Sequence, residues 1–224
     1  MNSLTQSYDA KERKYFAGIR TDLIDRLAPD PRRAILEIGC GDGSTGAYAK
    51  QQGKCALYVG VELFPDAAKL AAKAIDRVYA ANIEDFELPE RPASFDALIA
   101  GDVLEHLVDP WAVLKHLRTY LRPGALVVAS SPNVSHYSVI RMLLKGEWNL
   151  AGSGLMDRTH LRWFTPQSYA QMFHDCGFEV LSTGPSGEFR PKAKLANLLT
   201  GERLKHLLIT QIILVARKTG DAGV

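Results

Sequence analysis

Cysteine and long apolar runs are both scarce in this 224-residue sequence. The three cysteines, Cys40, Cys55 and Cys176, lie far apart and form no Cys-x-x-Cys pair, which argues against a disulfide framework and against a thiolate zinc site. No stretch approaches the ~18 apolar residues of a membrane span, and the first residues lack the apolar core of a secretory signal. We therefore expect a cytoplasmic protein with buried thiols.

The sequence also lacks an excess of either charge. It carries 27 Lys and Arg against 25 Asp and Glu, for a formal net charge of +2 at pH 7, which gives little reason to expect a nucleic-acid partner. With 46% hydrophobic and 23% charged residues, the remaining composition is that of an ordinary globular protein. We expect a single domain over residues 1–224.

Short apolar runs alternate with helical patterns through most of the chain. The runs predict buried parallel strands at 34–38, 56–62, 77–81, 95–100 and 125–131. Helices are predicted between them at 44–52, 65–75 and 110–120, the last with Asp109 as its cap and Pro110 in its first turn. This alternation implies a doubly wound α/β sheet, whose ligand crevice lies beyond the carboxyl ends of the strands.

The two ends of the chain and one long connection complete the predicted architecture. Apolar spacing predicts an N-terminal helix over 10–27, within residues 1–30. Thr165 caps a helix predicted to run to about Cys176, and strands are predicted at 178–182 and 209–217. The segment 132–164 is long for a mere connection, so we expect it to form a lid or a substrate wall.

The excursion at 183–207, before the last predicted strand, is rich in basic residues. Between 190 and 206 it carries five Lys or Arg against a single acid, Glu202, beside several leucines. Such a segment is compatible with peripheral contact to an anionic membrane or to a lipid-linked substrate. The small apolar set favours the alternative, a solvated helix packed on the domain edge.

The strongest local motif is the glycine-rich turn EIGCGDGS at residues 37–44, between the first predicted strand and helix. Its glycines let the backbone turn tightly and approach a ligand. Glu62 ends the second predicted strand, where a carboxylate accepts hydrogen bonds from ribose hydroxyls. Asp42 would repel the pyrophosphate of a dinucleotide, whereas a cofactor with a sulfonium and an ammonium group suits acidic Glu37, Asp42 and Glu62. The pattern favours the sulfonium cofactor.

From about residue 8 to residue 180 the sequence resembles the class I S-adenosylmethionine-dependent methyltransferases, whose first motif is similar to EIGCGDGS. Residues 81–85 (ANIED) resemble the family's adenine site, with Asn82 where Asp is more usual, and residues 101–110 (GDVLEHLVDP) resemble the segment that flanks the methionine part of the cofactor. The resemblance implies S-adenosyl-L-methionine as cofactor and a Rossmann-like, mostly parallel seven-stranded sheet with a final antiparallel strand at 209–217. The implied cofactor-binding residues are Glu37, Gly39, Cys40, Gly41, Gly43, Glu62, Leu63, Asn82, Ile83, Gly101 and Asp102.

Two later segments, SPNV at 131–134 and GLMDRTHLRWFT at 154–165, narrow the resemblance. They resemble a bacterial subgroup found with glycan and polysaccharide biosynthesis and, more distantly, the ubiquinone O-methyltransferases. This implies methyl transfer to a small-molecule, glycan-linked or lipid-linked acceptor, at oxygen. The candidate catalytic bases are His160, Asp157 and His136. For His160 and Asp157 the alternative interpretation is that they hold the lid together.

No metal-ligand set is recognisable along the chain. Glu105 has no companion Asp, Glu or His at a ligand spacing, so we expect a metal-free reaction. His106 is expected near the methionine end of the cofactor as a helix-start or packing residue, and Arg20 or Tyr15 is a candidate for the cofactor carboxylate. Two alternatives to an active methyltransferase stay open: a catalytically silent cofactor-binding partner subunit and a nicotinamide-dependent oxidoreductase.

Overall fold

The computed structural model describes residues 18–187, 189, 197 and 201–220. Its strands are β1 (Ala34–Ile38), β2 (Leu57–Glu62), β3 (Arg77–Ala80), β4 (Phe95–Gly101), β5 (Leu121–Pro132), β6 (Phe178–Pro185) and β7 (Gln211–Lys218). They form one seven-stranded sheet in the order β3-β2-β1-β4-β5-β7-β6. The order reverses between β1 and β4, which is where an open α/β sheet leaves a ligand crevice.

Strand directions agree with the predicted fold class. All neighbouring pairs from β3 to β5 are parallel, and β7 is antiparallel to both β5 and β6. Every residue of β1, which reads AILEI, is buried, as expected of a parallel strand that helices cover on both faces. The predicted Rossmann-like, mostly parallel sheet with a final antiparallel strand is confirmed.

Helices follow the strands as the doubly wound pattern requires. They are α1 (Thr21–Ile24), α2 (Ser44–Gln51), α3 (Pro65–Ala71), α4 (Pro110–Tyr120), α5 (Tyr137–Leu143) and α6 (Pro166–Asp175), with 3-10 turns at Leu104–His106 and Lys205–Leu208. The predicted start of α4 is confirmed, because an Asp109 carboxylate oxygen accepts from the Ala112 amide at 3.0 Å. Thr165 and Ser168 form a capping box at the start of α6.

Apolar side chains form a core on each face of the sheet. Adjacent residues of β1 enter different cores because side chains alternate across a strand: Ile35 belongs to the core that contains Leu23 of α1, and Leu36 to the core that contains Leu114 of α4 and Phe173 of α6. Full burial of such a side chain contributes about 1.5–3 kcal/mol. The three cysteines are buried and unpaired, as predicted.

Element boundaries differ from the predicted ones in several places. β5 begins at Leu121 rather than at residue 125, because Leu121 pairs with Phe95 across a register irregularity. α3 ends at Ala71, earlier than the predicted residue 75. Of the helix predicted over 10–27, the structure shows α1, and residues 10–17 lie outside the described residues.

The segment 132–164 contains α5 and is attached to the sheet at both ends. Asn133 is fully buried, and its Nδ2 donates to the carbonyls of His206 (2.7 Å) and Ile209 (2.6 Å), just before β7. At the other end, the amides of Leu161 and Arg162 donate to the Glu105 carbonyl at 2.8 and 2.9 Å. The segment therefore covers the carboxyl edge of the sheet.

Most residues of the basic excursion at 183–207 that lie beyond residue 187 and before residue 201 are outside the described residues. Within 190–206, only residue 197 and residues 201–206 are described, so the predicted membrane contact of that segment stays a prediction. No described helix combines the length and the apolar character needed to cross a bilayer.

Candidate active site

A cavity of about 910 Å³ opens at the carboxyl ends of β1, β2 and β4. Its wall includes Gly39 after β1, Glu62 at the end of β2 and Gly101 at the end of β4, and it reaches Asp157 and His160 of the 132–164 segment. The cavity therefore occupies the switch point of the sheet, and its volume is near the upper end of the range for small-molecule sites.

The cavity gathers the predicted cofactor residues with one exception. Those on its wall are Glu37, Gly39, Cys40, Gly41, Glu62, Leu63, Asn82, Ile83, Gly101 and Asp102. Gly43 is not among the lining residues. It starts α2 with a φ of +82°, and a Cβ there would lie 2.9 Å from the Ala71 Cα. Backbone conformation and packing against α3 therefore explain why residue 43 is a glycine.

Asp42 is also absent from the cavity wall, which corrects its predicted electrostatic role. Its Oδ1 accepts a hydrogen bond from the Ser44 amide at 3.0 Å. The side chain thus closes a local turn just before α2, in which an Asp oxygen accepts from the amide two residues further on. The acidic character that the sequence assigned to the glycine-rich turn comes from other carboxylates.

Glu62 holds the glycine-rich turn in place. Its Oε2 accepts from the Gly41 amide at 2.8 Å and its Oε1 from the Phe64 amide at 3.0 Å. Gly39 has a φ of +68°, and a Cβ there would lie 2.4 Å from Cγ2 of Val103. Glycine at this position therefore keeps the turn open beside the segment that follows β4.

Carboxylates dominate the cavity wall. The acidic lining residues are Glu37, Glu62, Glu84, Asp85, Asp102, Glu105, Asp109 and Asp157, and among the described residues the wall carries one Lys or Arg, which is Arg20. Burial raises the pKa of Glu37 to about 8, although the Tyr58 hydroxyl opposes the shift by donating to it at 2.9 Å. Burial also raises the pKa of Glu62. A cationic ligand would stabilise the ionised form of both groups.

Asp102 adopts an unusual backbone conformation that its neighbours enforce. Its φ is +56°, and its carboxylate accepts from Ser130 Oγ at 2.9 Å, from the Gln211 amide group and from Arg20 at 2.6 Å. Arg20 also pairs with Asp22 at 3.0 Å. The residue predicted for the cofactor carboxylate thus lines the cavity while it positions Asp102. Non-glycine residues with positive φ concentrate at functional sites.

The predicted adenine segment is tied to the segment after β4. The exposed Asn82 accepts from the Glu84 amide at 3.2 Å. Glu84 in turn accepts from the amides of Val108 (2.8 Å) and Asp109 (3.1 Å). Leu63, which is 47% exposed, adds an apolar surface to the same part of the cavity wall.

Two of the three predicted bases lie at the cavity. His160 is 9% exposed, and its ring centroid lies 4.8 Å from that of His106. Asp157 is buried, and its Oδ1 accepts from the Thr159 amide and hydroxyl at 2.9 and 2.8 Å, which gives it a structural task in the turn. His136 is not among the lining residues; it caps α5 by accepting from Ser138, and burial lowers its pKa.

Sequence reasoning missed a group that the fold brings together. One potential ligand atom each from Glu105, His106 and His160 lies within 4.8 Å of the other two, and all three residues line the cavity. We call them the Glu-His-His cluster. No spacing along the chain reveals it, because His160 reaches the other two residues only through the docking of the 132–164 segment.

Comparison with known proteins identifies the class. The methyltransferase domain family matches residues 8–183, and the chain belongs to this family. It is 25% identical over 200 residues to the ubiquinone biosynthesis O-methyltransferase of Chromobacterium violaceum, covering 86% of this chain and 84% of that protein.

Two solved structures show the same fold. An S-adenosylmethionine-dependent methyltransferase from Mesorhizobium loti has a TM-score of 0.62 at 16% identity, covering 91% of this chain and 100% of the other. The 1,6-didemethyltoxoflavin-N1-methyltransferase of Burkholderia thailandensis, with 1,6-didemethyltoxoflavin and S-adenosylhomocysteine bound, has a TM-score of 0.62 at 18% identity, covering 96% and 85%.

The protein is thus an S-adenosylmethionine-dependent methyltransferase, which decides against the nicotinamide-dependent alternative. The described cavity fits this cofactor, because its acidic wall suits a sulfonium and an ammonium group. The same wall would repel a pyrophosphate.

Proposed function

We propose that this methyltransferase transfers its methyl group to a hydroxyl oxygen of a small-molecule acceptor. The proposal is carried by the Glu-His-His cluster, which puts one carboxylate and two imidazoles on the wall of the cavity that also contains the glycine-rich turn. The similarity to a ubiquinone biosynthesis O-methyltransferase supports oxygen as the methylated atom. Glycan-linked and lipid-linked hydroxyls, which the sequence resemblance favours, belong to the same chemical class.

We assign the cofactor to the part of the cavity between β1 and β2. Glu62 accepts from the ribose hydroxyls with the lone pairs that Gly41 and Phe64 do not use. Leu63, Asn82 and Ile83 form the adenine side. Gly101 and Asp102 flank the methionine part, which leaves the Glu-His-His cluster for the acceptor.

Bound S-adenosylmethionine supplies an electrophilic methyl group on a sulfonium. Methyl transfer would form a C–O bond at the acceptor and break the C–S bond, whose electron pair would stay on sulfur, so the acceptor hydroxyl would have to lose a proton. His106 Nδ1 lies 3.1 Å from the Thr159 carbonyl. Since a carbonyl only accepts, Nδ1 carries the hydrogen, and Nε2 is the basic nitrogen of the neutral ring. Positioned bases contribute about 100-fold to 10,000-fold.

The proposal is tested by incubating the protein with S-adenosylmethionine that carries a deuterated methyl group. Pools of quinone precursors, nucleotide sugars and lipid-linked glycans are offered separately, and products are examined by mass spectrometry and NMR. We expect a deuterated methyl ether in one pool, and none with a Gly39→Ala variant. A labelled methyl group on nitrogen or carbon would contradict the proposal.

A further inference from the structure

The Glu-His-His cluster has the composition of a metal site. We propose that Glu105, His106 and His160 bind a divalent transition-metal ion, of which Zn²⁺ is the representative, at the acceptor end of the cavity. One carboxylate and two imidazoles are a ligand set of catalytic metal sites, which keep further positions for water or substrate.

The first observation is the state of the Glu105 carboxylate. The residue is 1% exposed, and neither carboxylate oxygen has a hydrogen-bond partner among the residues that the structure describes. Burial raises the pKa of Glu105, and its own amide and the Ser131 hydroxyl oppose this rise, but neither reaches hydrogen-bond geometry with the carboxylate. Buried carboxylates are normally paired, hydrogen-bonded or bound to a metal. Glu105 also belongs to the wall of the cavity.

The second observation is the orientation of His106. The contact of its Nδ1 with the Thr159 carbonyl, at 3.1 Å, makes Nε2 the lone-pair nitrogen of the neutral ring. Metal-binding histidines commonly donate their other ring nitrogen to a carbonyl or carboxylate in this way, which fixes the ring and raises its basicity. The imidazole is therefore oriented as a ligand by a backbone group of the segment that carries His160.

The third observation is that the three residues come from two elements that are already docked. Glu105 and His106 lie in the 3-10 turn Leu104–His106, while His160 lies in the 132–164 segment. Backbone hydrogen bonds from Leu161 and Arg162 to Glu105 join the two elements. Metal–ligand bonds of about 2.0–2.2 Å bring donor atoms to roughly 3–3.5 Å from one another. Because the donor atoms here lie within 4.8 Å of one another, a small approach of the three side chains would complete the site.

A metal at this position would also explain how the acceptor loses its proton. Its positive charge lowers the pKa of a bound hydroxyl, so that the oxygen attacks as an alkoxide or phenolate. The proton passes to solvent, and His106 and His160 then act as ligands rather than as bases. This role rests on the proposed O-methylation, but the metal site itself does not.

The test uses the full chain without an affinity tag, stripped by a chelator and titrated with Co²⁺ as a spectroscopic substitute for Zn²⁺. We expect a visible d–d absorption band that saturates at one equivalent and disappears when Zn²⁺ competes. His106→Ala and His160→Ala should each weaken Co²⁺ binding more than about 100-fold, beyond the loss typical of an outer-shell partner. His174→Ala is the matched control, because His174 is exposed on α6, and it should bind like the parent.

Glu105→Gln preserves the shape of the buried side chain and should also lose the band, with thermal melting as the check on folding. Where His160→Ala fails to fold, His160→Gln replaces it. Absence of the band in the parent, or its persistence in either folded His160 variant, would overturn the proposal. Metal binding without any methylated hydroxyl product would instead contradict the proposed function and leave the site intact.

Discussion

At the scale of single residues, Glu62 combines a ligand-binding task with a structural one. Glu62→Ala removes the ribose acceptor and the partner of the Gly41 and Phe64 amides. Since charge-assisted hydrogen bonds contribute about 1.5–3 kcal/mol, we expect calorimetry to show binding of S-adenosylhomocysteine weakened at least ~10-fold. Glu179→Ala, at an exposed position of β6, is the control. Parent-like affinity in Glu62→Ala would remove Glu62 from the cofactor site.

Substitution of Gly39 tests whether the glycine-rich turn must lie close to the segment after β4. Gly39→Ala combines a positive φ with a Cβ placed 2.4 Å from Val103, so we expect it to abolish cofactor binding and lower the melting temperature. Gly124 has a φ of +80° and open space around it. Gly124→Ala therefore measures the backbone strain alone, of the order of 1 kcal/mol, and should bind cofactor normally. Equal effects of the two substitutions would show that the Val103 contact is unimportant.

The raised pKa of Glu37 predicts that the stability of the protein depends on pH. Its pKa is about 8 in the folded protein against an ordinary 4.5, so between these values the folded state holds a proton that the unfolded state has lost. The free energy of unfolding must then fall as pH rises through this window, by as much as a few kcal/mol. Glu37→Gln should flatten the dependence in urea unfolding between about pH 5.5 and pH 8.5. An unchanged slope would refute the raised pKa.

Individual site residues were predictable to the extent that backbone motifs identify them. The glycine-rich turn and Glu62 follow strand ends, and strand ends can be recognised from sequence. The orientation of a side chain is decided by its local hydrogen bonds, so the sequence did not show that Asp42 closes the turn before α2 or that His136 caps α5 away from the cavity wall.

At the scale of elements, the attachment of the 132–164 segment depends on one buried amide. Asn133→Ala leaves the carbonyls of His206 and Ile209 without their donor, and unsatisfied buried groups cost about 1–3 kcal/mol each. We expect urea unfolding to show a loss of at least about 2 kcal/mol. The matched control is Asn149→Ala at an exposed position of the same segment, which should change stability by less than ~0.5 kcal/mol. Equal losses would contradict the anchoring role.

The elements that the sequence predicted best are those with a strong local signal. α4 was predicted with its exact cap because Asp109 and Pro110 mark its start, and β1 because its apolar run is continuous. α5 was not predicted, since its residues Tyr137, Ile140 and Leu143 remain substantially exposed and show no buried stripe. The early start of β5 depends on the pairing of Leu121 with Phe95, a tertiary effect.

At the scale of the whole molecule, topology explains both the success and the limit of sequence reasoning. Alternating strands and helices determine the switch point and therefore the position of the cavity. The Glu-His-His cluster instead arises when a distant segment docks on the turn after β4. Local spacing cannot show such a contact, and for this reason the sequence predicted a metal-free site.

The most direct test of the account is a crystal structure of the protein with S-adenosylhomocysteine. The account predicts the ribose at Glu62, the adenine beside Leu63 and Ile83, and an open space next to the Glu-His-His cluster. Electron density for the cofactor product outside this cavity, or within it but away from Glu62, would contradict the assignment of the site.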